Sequence, residues 1–169
     1  MIRRLALALS TLAVAACGSG DGGSGDETPP PCGPGPVTLT HVTTTAYACN
    51  QPFTTRIQLV NGGCTSARVT KLDIAAQVTS CSVATCIASC ATPAGAATGL
   101  CSYPLDVFVT PKSTGTVLEL GGDSYHYPAG GLSMVERYTY TATYQQGGAT
   151  ETVSAAPVDV TLTLPQPCP

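Results

Sequence analysis

The side chains best suited to covalent or metal chemistry are nine cysteines and two histidines. No two cysteines form a Cys-x-x-Cys pair, and neither histidine lies close to a group of cysteines in the sequence. Zinc sites usually combine closely spaced ligands of these types. We therefore expect neither a metal site nor a cofactor, and we interpret the cysteines as the disulfide framework of an exported protein. They are Cys17, Cys32, Cys49, Cys64, Cys81, Cys86, Cys90, Cys101 and Cys168.

The histidines and acids do not form a recognisable catalytic set. The sequence has neither a G-x-S-x-G nor an H-E-x-x-H motif. His41 continues the alternation of Val37 and Leu39, which indicates a half-buried strand residue. We therefore expect a protein that is not an enzyme. The acids of the predicted strands do not cluster and are interpreted as facing solvent: Asp73, Asp106, Glu119 and Glu136.

Tyr125, His126 and Tyr127 are the candidate ligand-contact residues, within a glycine-rich loop spanning residues 121–133. A tyrosine has a flat apolar body and a polar tip, so two of them around an imidazole can stack on a sugar or hold a partner side chain. The alternative is that one tyrosine covers the end of the fold while the other aromatic residues face water.

The first seventeen residues have the layout of an export signal. Two arginines precede an apolar run from Leu5 to Ala16, and the run leads into Val14-Ala15-Ala16-Cys17. This last stretch resembles the lipobox of bacterial lipoproteins. The resemblance implies that residues 1–16 are removed, that the Cys17 sulfur receives a diacylglycerol, and that the new amino terminus is acylated.

A membrane-spanning helix is the alternative interpretation of the same apolar run. Its twelve residues rise only about 18 Å as a helix, whereas a hydrocarbon core is about 30 Å thick. The run is too short to span, which favours the signal. If Cys17 carries lipid, eight cysteines remain, an even number that can pair completely.

The expected location and partners follow from this signal and from the charge. Without residues 1–16, five basic side chains stand against ten acids, a formal charge of −5 with no basic patch. Nucleic-acid binding therefore has no electrostatic support. Gly18, and not an aspartate, follows Cys17, which resembles lipoproteins released to the outer membrane. We expect contact with the membrane through the N-terminal lipid, and with an unidentified envelope protein or glycan.

The mature chain divides into a tether and one domain. Residues 17–36 are rich in glycine, serine and proline, with almost no apolar content, which predicts a disordered tether behind the lipidated cysteine. Residues 37–169 are long enough for a single domain with its own core.

Within residues 37–169, apolar and polar side chains alternate with the period of β-strands that bury one face. Seven strands are predicted, and the fold class is all-β. A change of phase near Thr70 and Lys71 predicts a β-bulge. Residues 146–149, Gln-Gly-Gly-Ala, predict a tight hairpin, and Pro157 interrupts the last strand.

The end of the chain combines three features: Tyr138-Thr-Tyr140-Thr-Ala142, the Gly-Gly hairpin, and a final Val-x-Val-x-Leu-x-Leu run. Together they resemble the last two strands of immunoglobulin-like and fibronectin type III-like domains. The resemblance covers roughly residues 37–165 and implies a single immunoglobulin-like β-sandwich with disulfide-stapled loops. It also implies a tyrosine corner, in which the Tyr138 hydroxyl bonds nearby backbone. Tyr140 stands in place of the second conserved cysteine, so an antibody-type core is excluded.

The sandwich topology implied by the resemblance makes the disulfide pairing partly predictable. A first strand parallel to the last and an antiparallel second strand would place two bridges near strand ends. The four cysteines of the 81–101 loop would then pair among themselves, most simply with one bridge around the other. The predicted pairs are Cys49–Cys168, Cys32–Cys64, Cys81–Cys101 and Cys86–Cys90.

Two functional classes follow from these expectations. The first is an envelope-anchored lipoprotein with a non-catalytic binding or structural module. The second is a protease inhibitor that presents the stapled 81–101 loop as a rigid segment. This loop carries mainly serine, alanine, threonine and glycine, which weakens the inhibitor interpretation.

Overall fold

The computed structural model describes residues 32–48, 52–91, 94–122 and 132–164. These ranges contain no helix, and so none that is long and apolar enough to cross a membrane. They form nine strands, which confirms the all-β prediction. The strands are β1 (Val37–Thr43), β2 (Ala46–Ala48), β3 (Phe53–Asn61), β4 (Ala67–Cys81), β5 (Thr98–Val109), β6 (Ser113–Gly122), β7 (Leu132–Gln146), β8 (Ala149–Ser154) and β9 (Val158–Leu164).

The strands lie in two sheets. The smaller sheet has the order β1-β3-β6, and the larger has the order β2-β9-β7-β4-β5 with β8 also paired to β7. Neighbouring strands are antiparallel, except that β2 runs parallel to β9. Because β3 and β4 follow one another along the chain but lie in different sheets, the chain crosses between the two layers there.

Buried side chains from both sheets meet in the larger of two hydrophobic clusters, which forms the main core, and the smaller cluster consists of Cys86, Leu132, Met134 and Leu162. The alternation of each strand supplies them: in β3, Ile57 and Leu59 have no exposed surface, while the residues between and beside them are only partly buried. Burying an aliphatic side chain of this size typically stabilises a fold by about 1.5 to 3 kcal/mol. The two central strands of the larger sheet contribute Val69, Leu72, Ile74, Tyr140, Ala142 and Tyr144.

The described ranges contain nine strands, so the prediction of seven was wrong. The first predicted strand divides after Thr43, because β1 pairs with β3 in the smaller sheet while β2 pairs with β9 in the larger one. The last predicted strand divides into β8 and β9 at Ala155–Pro157. Proline has no N–H to donate to a ladder, so an interruption there was indicated by the sequence.

Two local predictions are confirmed. The pairing of β4 with both β5 and β7 shifts register between Val69 and Lys71, which is the predicted bulge and lets Val69 and Leu72 both face the core. Gly147 and Gly148 connect β7 to β8 with φ angles of 59° and 88°. Two successive positive φ values characterise the tight turn that matches strand twist, and glycine adopts them without steric cost.

A buried polar network joins three connections at the end of the sheets where β3 and β7 finish. The Asn61 side chain has no exposed surface, and its amide group donates to the backbone oxygens of Thr65, Val109 and Thr110. Its oxygen accepts hydrogen bonds from Gly63 N at 3.0 Å and from Gln146 Nε2 at 2.7 Å. The β3–β4, β5–β6 and β7–β8 connections are therefore held to one another through a single side chain.

The segment that precedes β1 is attached at the same end. Cys32 is bonded to Cys64 with a Cα–Cα distance of 5.4 Å, so this predicted pair is confirmed. Backbone hydrogen bonds from Gly62 N to Pro36 O and from Cys64 N to Gly33 O run alongside the bridge. Residues 32–36, the last part of the predicted tether, thus lie against the domain.

The pairing predicted within the 81–101 loop, Cys81–Cys101 with Cys86–Cys90, was wrong. The bonded pairs are Cys81–Cys86 and Cys90–Cys101, with Cα–Cα distances of 6.0 and 5.3 Å. Cys101 lies within β5 opposite Ile74, and Cys81 lies seven residues further along β4. At about 3.3 Å per residue the two are roughly 23 Å apart, well beyond the reach of a disulfide.

Candidate functional site

A cavity of about 220 Å³ opens between the two sheets, at the end where β3 and β7 begin. It lies at the opposite end of these strands from the Asn61 network. Native interiors are packed closely enough to leave few voids larger than a water molecule. A cavity of this size between the sheets is therefore the best candidate site in the described ranges. Its lining is mostly apolar and aromatic, and includes Phe53, Leu120, Tyr103, Met134, Tyr138, Tyr140 and Leu162.

Glu136 places a carboxylate in this apolar lining. Its side chain is 3% exposed because it follows the inward phase of β7, between Met134 and Tyr138. Ser89 donates twice to it, from its backbone N–H to Oε1 and from its hydroxyl to Oε2 at 2.9 Å. The Tyr138 hydroxyl donates to Oε2 at 2.6 Å. The three donors satisfy most of the acceptor positions of a buried carboxylate.

The expectation that Glu136 faces solvent was wrong. In β7 every even-numbered residue from Leu132 to Gln146 lies on the inward face, and Glu136 belongs to that series. The sequence carried this signal, since Glu136 is in phase with the alternating Tyr138, Tyr140 and Ala142 that follow it. A polar residue in the buried phase of a strand needs a partner, and here Ser89 comes from a loop distant in sequence.

Both disulfides of the 81–101 region hold Ser89 in place. Cys86 and Ala88 are buried, and Ala88 N bonds Ala96 O across the loop. The Cys90–Cys101 bridge, the Leu100 N to Cys90 O hydrogen bond and the pairing of Ala91 with Gly99 attach the segment to β5. The segment therefore lies flat against the larger sheet, with Ser89 directed at Glu136.

Gly99 allows this close approach. A Cβ atom added at Gly99 would stand within 3.0 Å of backbone atoms of Ser89, Cys90 and Ala91, a separation that real Cβ atoms essentially never show. Only a residue without a side chain lets the Ser89-bearing segment lie this close to β5.

The other acids expected to face solvent form ion pairs on the outer surfaces. Asp106 accepts from Arg68 at 2.7 Å and Glu119 accepts from Arg56 at 2.9 Å, and these hydrogen bonds lower the pKa of both carboxyls. Asp73 has a lowered pKa through hydrogen bonds from Lys71 and then Ser102. Exposed ion pairs of this kind contribute little to stability, so we interpret these acids as part of the solvated surface.

Three aromatic expectations can be compared with the structure. His41 is partly buried, as predicted, and its ring centroid lies 5.4 Å from that of Tyr140. Tyr140 is buried in the core at the position where the resemblance places a cysteine. The Tyr138 hydroxyl donates to the Glu136 carboxylate and lies 2.8 Å from the Ser89 hydroxyl. These are side-chain partners, where the resemblance implied a backbone one.

Several predicted site residues lie outside the described ranges: Cys17, Cys49, Cys168, Tyr125, His126 and Tyr127. Their predicted roles stay predictions. Within the described ranges, no group of three or more histidine, cysteine, aspartate or glutamate side chains is arranged to hold a metal ion.

A buried tyrosine at the other end of β7 gives the fold a pH dependence. Burial, and then the hydrogen bond that its hydroxyl donates to Glu151 at 2.7 Å, raise the pKa of Tyr144 to about 12. An unfolded tyrosine has a pKa of about 10. The contribution of Tyr144 to stability is therefore complete below about pH 10, and is lost as the pH rises towards about 12.

We expect the protein to lose more stability between pH 9 and about pH 11.5 than its Tyr144→Phe variant does, because phenylalanine has no proton to lose. Urea unfolding of both proteins at the two pH values measures the difference. The absorbance of phenolate at high pH gives an independent titration. Equal losses in the two proteins would contradict the assignment to Tyr144.

Comparison with known proteins gives little similarity. No protein-family model and no curated protein matches the chain. Among solved structures, the sporulation control protein Spo0M from Bacillus subtilis matches with a TM-score of 0.40 and 8% identity, over 76% of this chain and 50% of that one. The alkylpurine DNA glycosylase AlkC from Pseudomonas fluorescens, bound to DNA containing an abasic site analogue, gives a TM-score of 0.37 and 7% identity, over 75% and 30%. The chain spans half the length of the first and less than a third of the second, and likenesses this low carry no argument about function.

Proposed function

We propose that this protein is an envelope-anchored lipoprotein whose single immunoglobulin-like domain is a non-catalytic binding module. The cavity between the sheets is the observation that carries the binding role. A purely structural domain gains stability by filling such a space, because each void forfeits packing contacts. Here the described residues leave such a space with a buried carboxylate in its lining, which suits a ligand better than it suits the core.

The immunoglobulin-like part of the proposal is supported by how the strands are grouped. If β1, β3 and β6 are read as strands A, B and E, then β4, β5, β7 and β9 take the places of C, C′, F and G. The sheets then read A-B-E and G-F-C-C′, which is the grouping of that fold. The short parallel β2 on β9 fits a first strand that changes sheets.

The protease-inhibitor alternative has one supporting observation. Ile87 is 52% exposed between the two bridges of the 81–101 loop. However, the residues on either side, Cys86 and Ala88, are buried in the domain, and Ser89 bonds Glu136. Because alternate side chains of this loop contact its own domain, few side chains remain exposed for contact with a protease. The geometry thus favours the binding module.

The anchoring part of the proposal rests on Val14-Ala15-Ala16-Cys17. We expect cells fed labelled palmitate to yield a labelled mature chain that begins at Cys17, and we expect the Cys17→Ser variant to remain unlabelled and to leave the membrane fraction. Mass spectrometry of the amino-terminal peptide provides the second measurement. Because one acyl chain binds a membrane only marginally and several bind it stably, fractionation should separate the two proteins almost completely.

A useful control is Cys32→Ser, which removes a cysteine from the domain without touching the lipobox. Its chain should still be labelled. An unmodified Cys17 in the mature protein, or a chain that retains residues 1–16, would contradict the lipoprotein assignment.

A further inference from the structure

We propose that the cavity between the sheets binds a small organic cation, an ammonium group on a compact apolar body, with Glu136 as its counter-charge. The inference deepens the binding role proposed above and rests on it. It is carried by three properties of the cavity: the state of the carboxylate, the aromatic lining and the size.

The Glu136 carboxylate accepts hydrogen bonds from uncharged groups. Its three donors, the Ser89 N–H, the Ser89 hydroxyl and the Tyr138 hydroxyl, carry no formal charge. The ion pairs of the described ranges use other acids, on the outer surfaces. A carboxylate offers about four acceptor positions, so one remains for a further donor. Buried charges are normally paired, and a cationic ligand would provide the pairing that the described residues do not.

The side chains around Glu136 suit a cation with apolar surface. Phe53, Tyr103, Tyr138 and Tyr140 line the cavity, and aromatic faces attract ammonium groups within about 6 Å. Met134 and Leu120 add aliphatic surface for the body of the ligand. An anionic ligand would meet the carboxylate as a like charge, and a strongly polar neutral one would leave its own groups unsatisfied on this lining.

The size of the cavity limits the ligand to a small molecule. A volume of about 220 Å³ is roughly seven times the share of one water in the liquid, about 30 Å³. Drug-sized ligands usually occupy pockets of about 300 to 1,000 Å³. The part of the ligand that enters the cavity should therefore be compact, on the order of seven to ten non-hydrogen atoms.

Calorimetric titration with 2-phenylethylamine tests the proposal, with 2-phenylethanol as an uncharged molecule of the same shape. The full-length protein is used in an uncharged maltoside detergent, so that no detergent headgroup competes for the carboxylate. We expect saturable binding of the amine, at least tenfold tighter than that of the alcohol. A hydrogen bond to a charged group typically changes affinity by about 10- to 100-fold.

Two variants separate the roles of charge and space. Glu136→Gln keeps the shape and should weaken amine binding about 10- to 100-fold, while changing alcohol binding little. Leu120→Trp fills the cavity from its partly exposed lining and should weaken both ligands. Because Leu120 makes none of the Glu136 hydrogen bonds, this second variant remains informative if the first one folds poorly.

Three results would overturn the proposal: no saturable binding of the amine, equal binding of amine and alcohol, or unchanged amine binding by both variants. These results are independent of the anchor. Failure of amine binding with Cys17 acylated would remove the ligand class and leave the lipoprotein assignment intact. Amine binding by a chain with unmodified Cys17 would remove the lipoprotein assignment and leave the ligand class intact.

Discussion

Replacing Asn61 by leucine is expected to lower the free energy of unfolding by about 3 to 5 kcal/mol, a large share of the stability of a domain this size. The substitution leaves the buried N–H of Gly63 without its acceptor and removes a donor from the Val109 and Thr110 carbonyls. Each buried polar group left without a partner costs about 1 to 3 kcal/mol. Urea unfolding with the disulfides intact measures the change.

The double variant with Gln146→Leu provides the matched control. Gln146 Nε2 donates both to Asn61 Oδ1 at 2.7 Å and to the Thr65 carbonyl at 3.1 Å, so the two side chains share one network. Each single variant loses the Asn61–Gln146 hydrogen bond, whereas the double variant loses it only once. The double variant should therefore lose less than the sum of the two single losses. A loss below about 1 kcal/mol for Asn61→Leu, or strict additivity, would contradict the role assigned to the network.

Alternation along the sequence predicted where strands lie and which faces they bury. In β7 this alternation puts Tyr138, Tyr140, Ala142 and Tyr144 on one face, and all four pack in or against the core. It also located the bulge near Lys71. These features depend on the two-residue period of a strand, which residue types reveal directly. Where phase alone decides burial, the sequence was sufficient.

Glu136 marks the point at which the inference from residue type failed. Its position in the alternation of β7 is on the buried face, but its charge indicated a side chain exposed to solvent. The charge is accommodated because Ser89 reaches it from a loop 47 residues earlier in the chain. A contact between a loop and a strand across that separation leaves no periodic signal in either segment. The cavity itself was equally hidden, since it depends on how far two sheets stand apart at one end.

The disulfides show the same division between features that the sequence could predict and features that it could not. Cys32–Cys64 followed from strand order, which the alternation and the resemblance supplied together. The pairs Cys81–Cys86 and Cys90–Cys101 depend instead on how far the β4–β5 ladder extends, and it reaches Gln77 opposite Thr98. The predicted loop extended to Cys101, whereas β5 already contains this residue and runs on through Pro104. Proline is tolerated on an edge strand, and β5 is the edge of its sheet, so the strand continues past it.

Gly99→Ala is expected to have the largest effect of any single methyl group in this region, about 3 to 5 kcal/mol of lost stability. The added Cβ would overlap the backbone from Ser89 to Ala91, which cannot move aside freely because the Cys90–Cys101 bridge fixes it to β5. Overpacking of this kind costs about 1 to 3 kcal/mol. Displacing Ser89 then removes two hydrogen bonds from the buried Glu136 carboxylate, which adds a comparable amount.

Two readouts distinguish this effect from a general loss of packing. Urea unfolding gives the total, and hydrogen exchange at the amide of Leu100, which bonds Cys90 O, reports whether the loop has separated from β5. Gly33→Ala is the control, since a Cβ there meets no atom within 4 Å, and its effect should stay within about 0.5 kcal/mol.

If Gly99→Ala unfolds like the control, the segment is free to shift, and Ser89 is not rigidly positioned. Normal exchange at Leu100 together with a large loss would place the strain in β4 and β5 themselves. If protection is lost at Leu100 while Cys90 stays bonded to Cys101, the stapled loop is coupled to the carboxylate that lines the cavity.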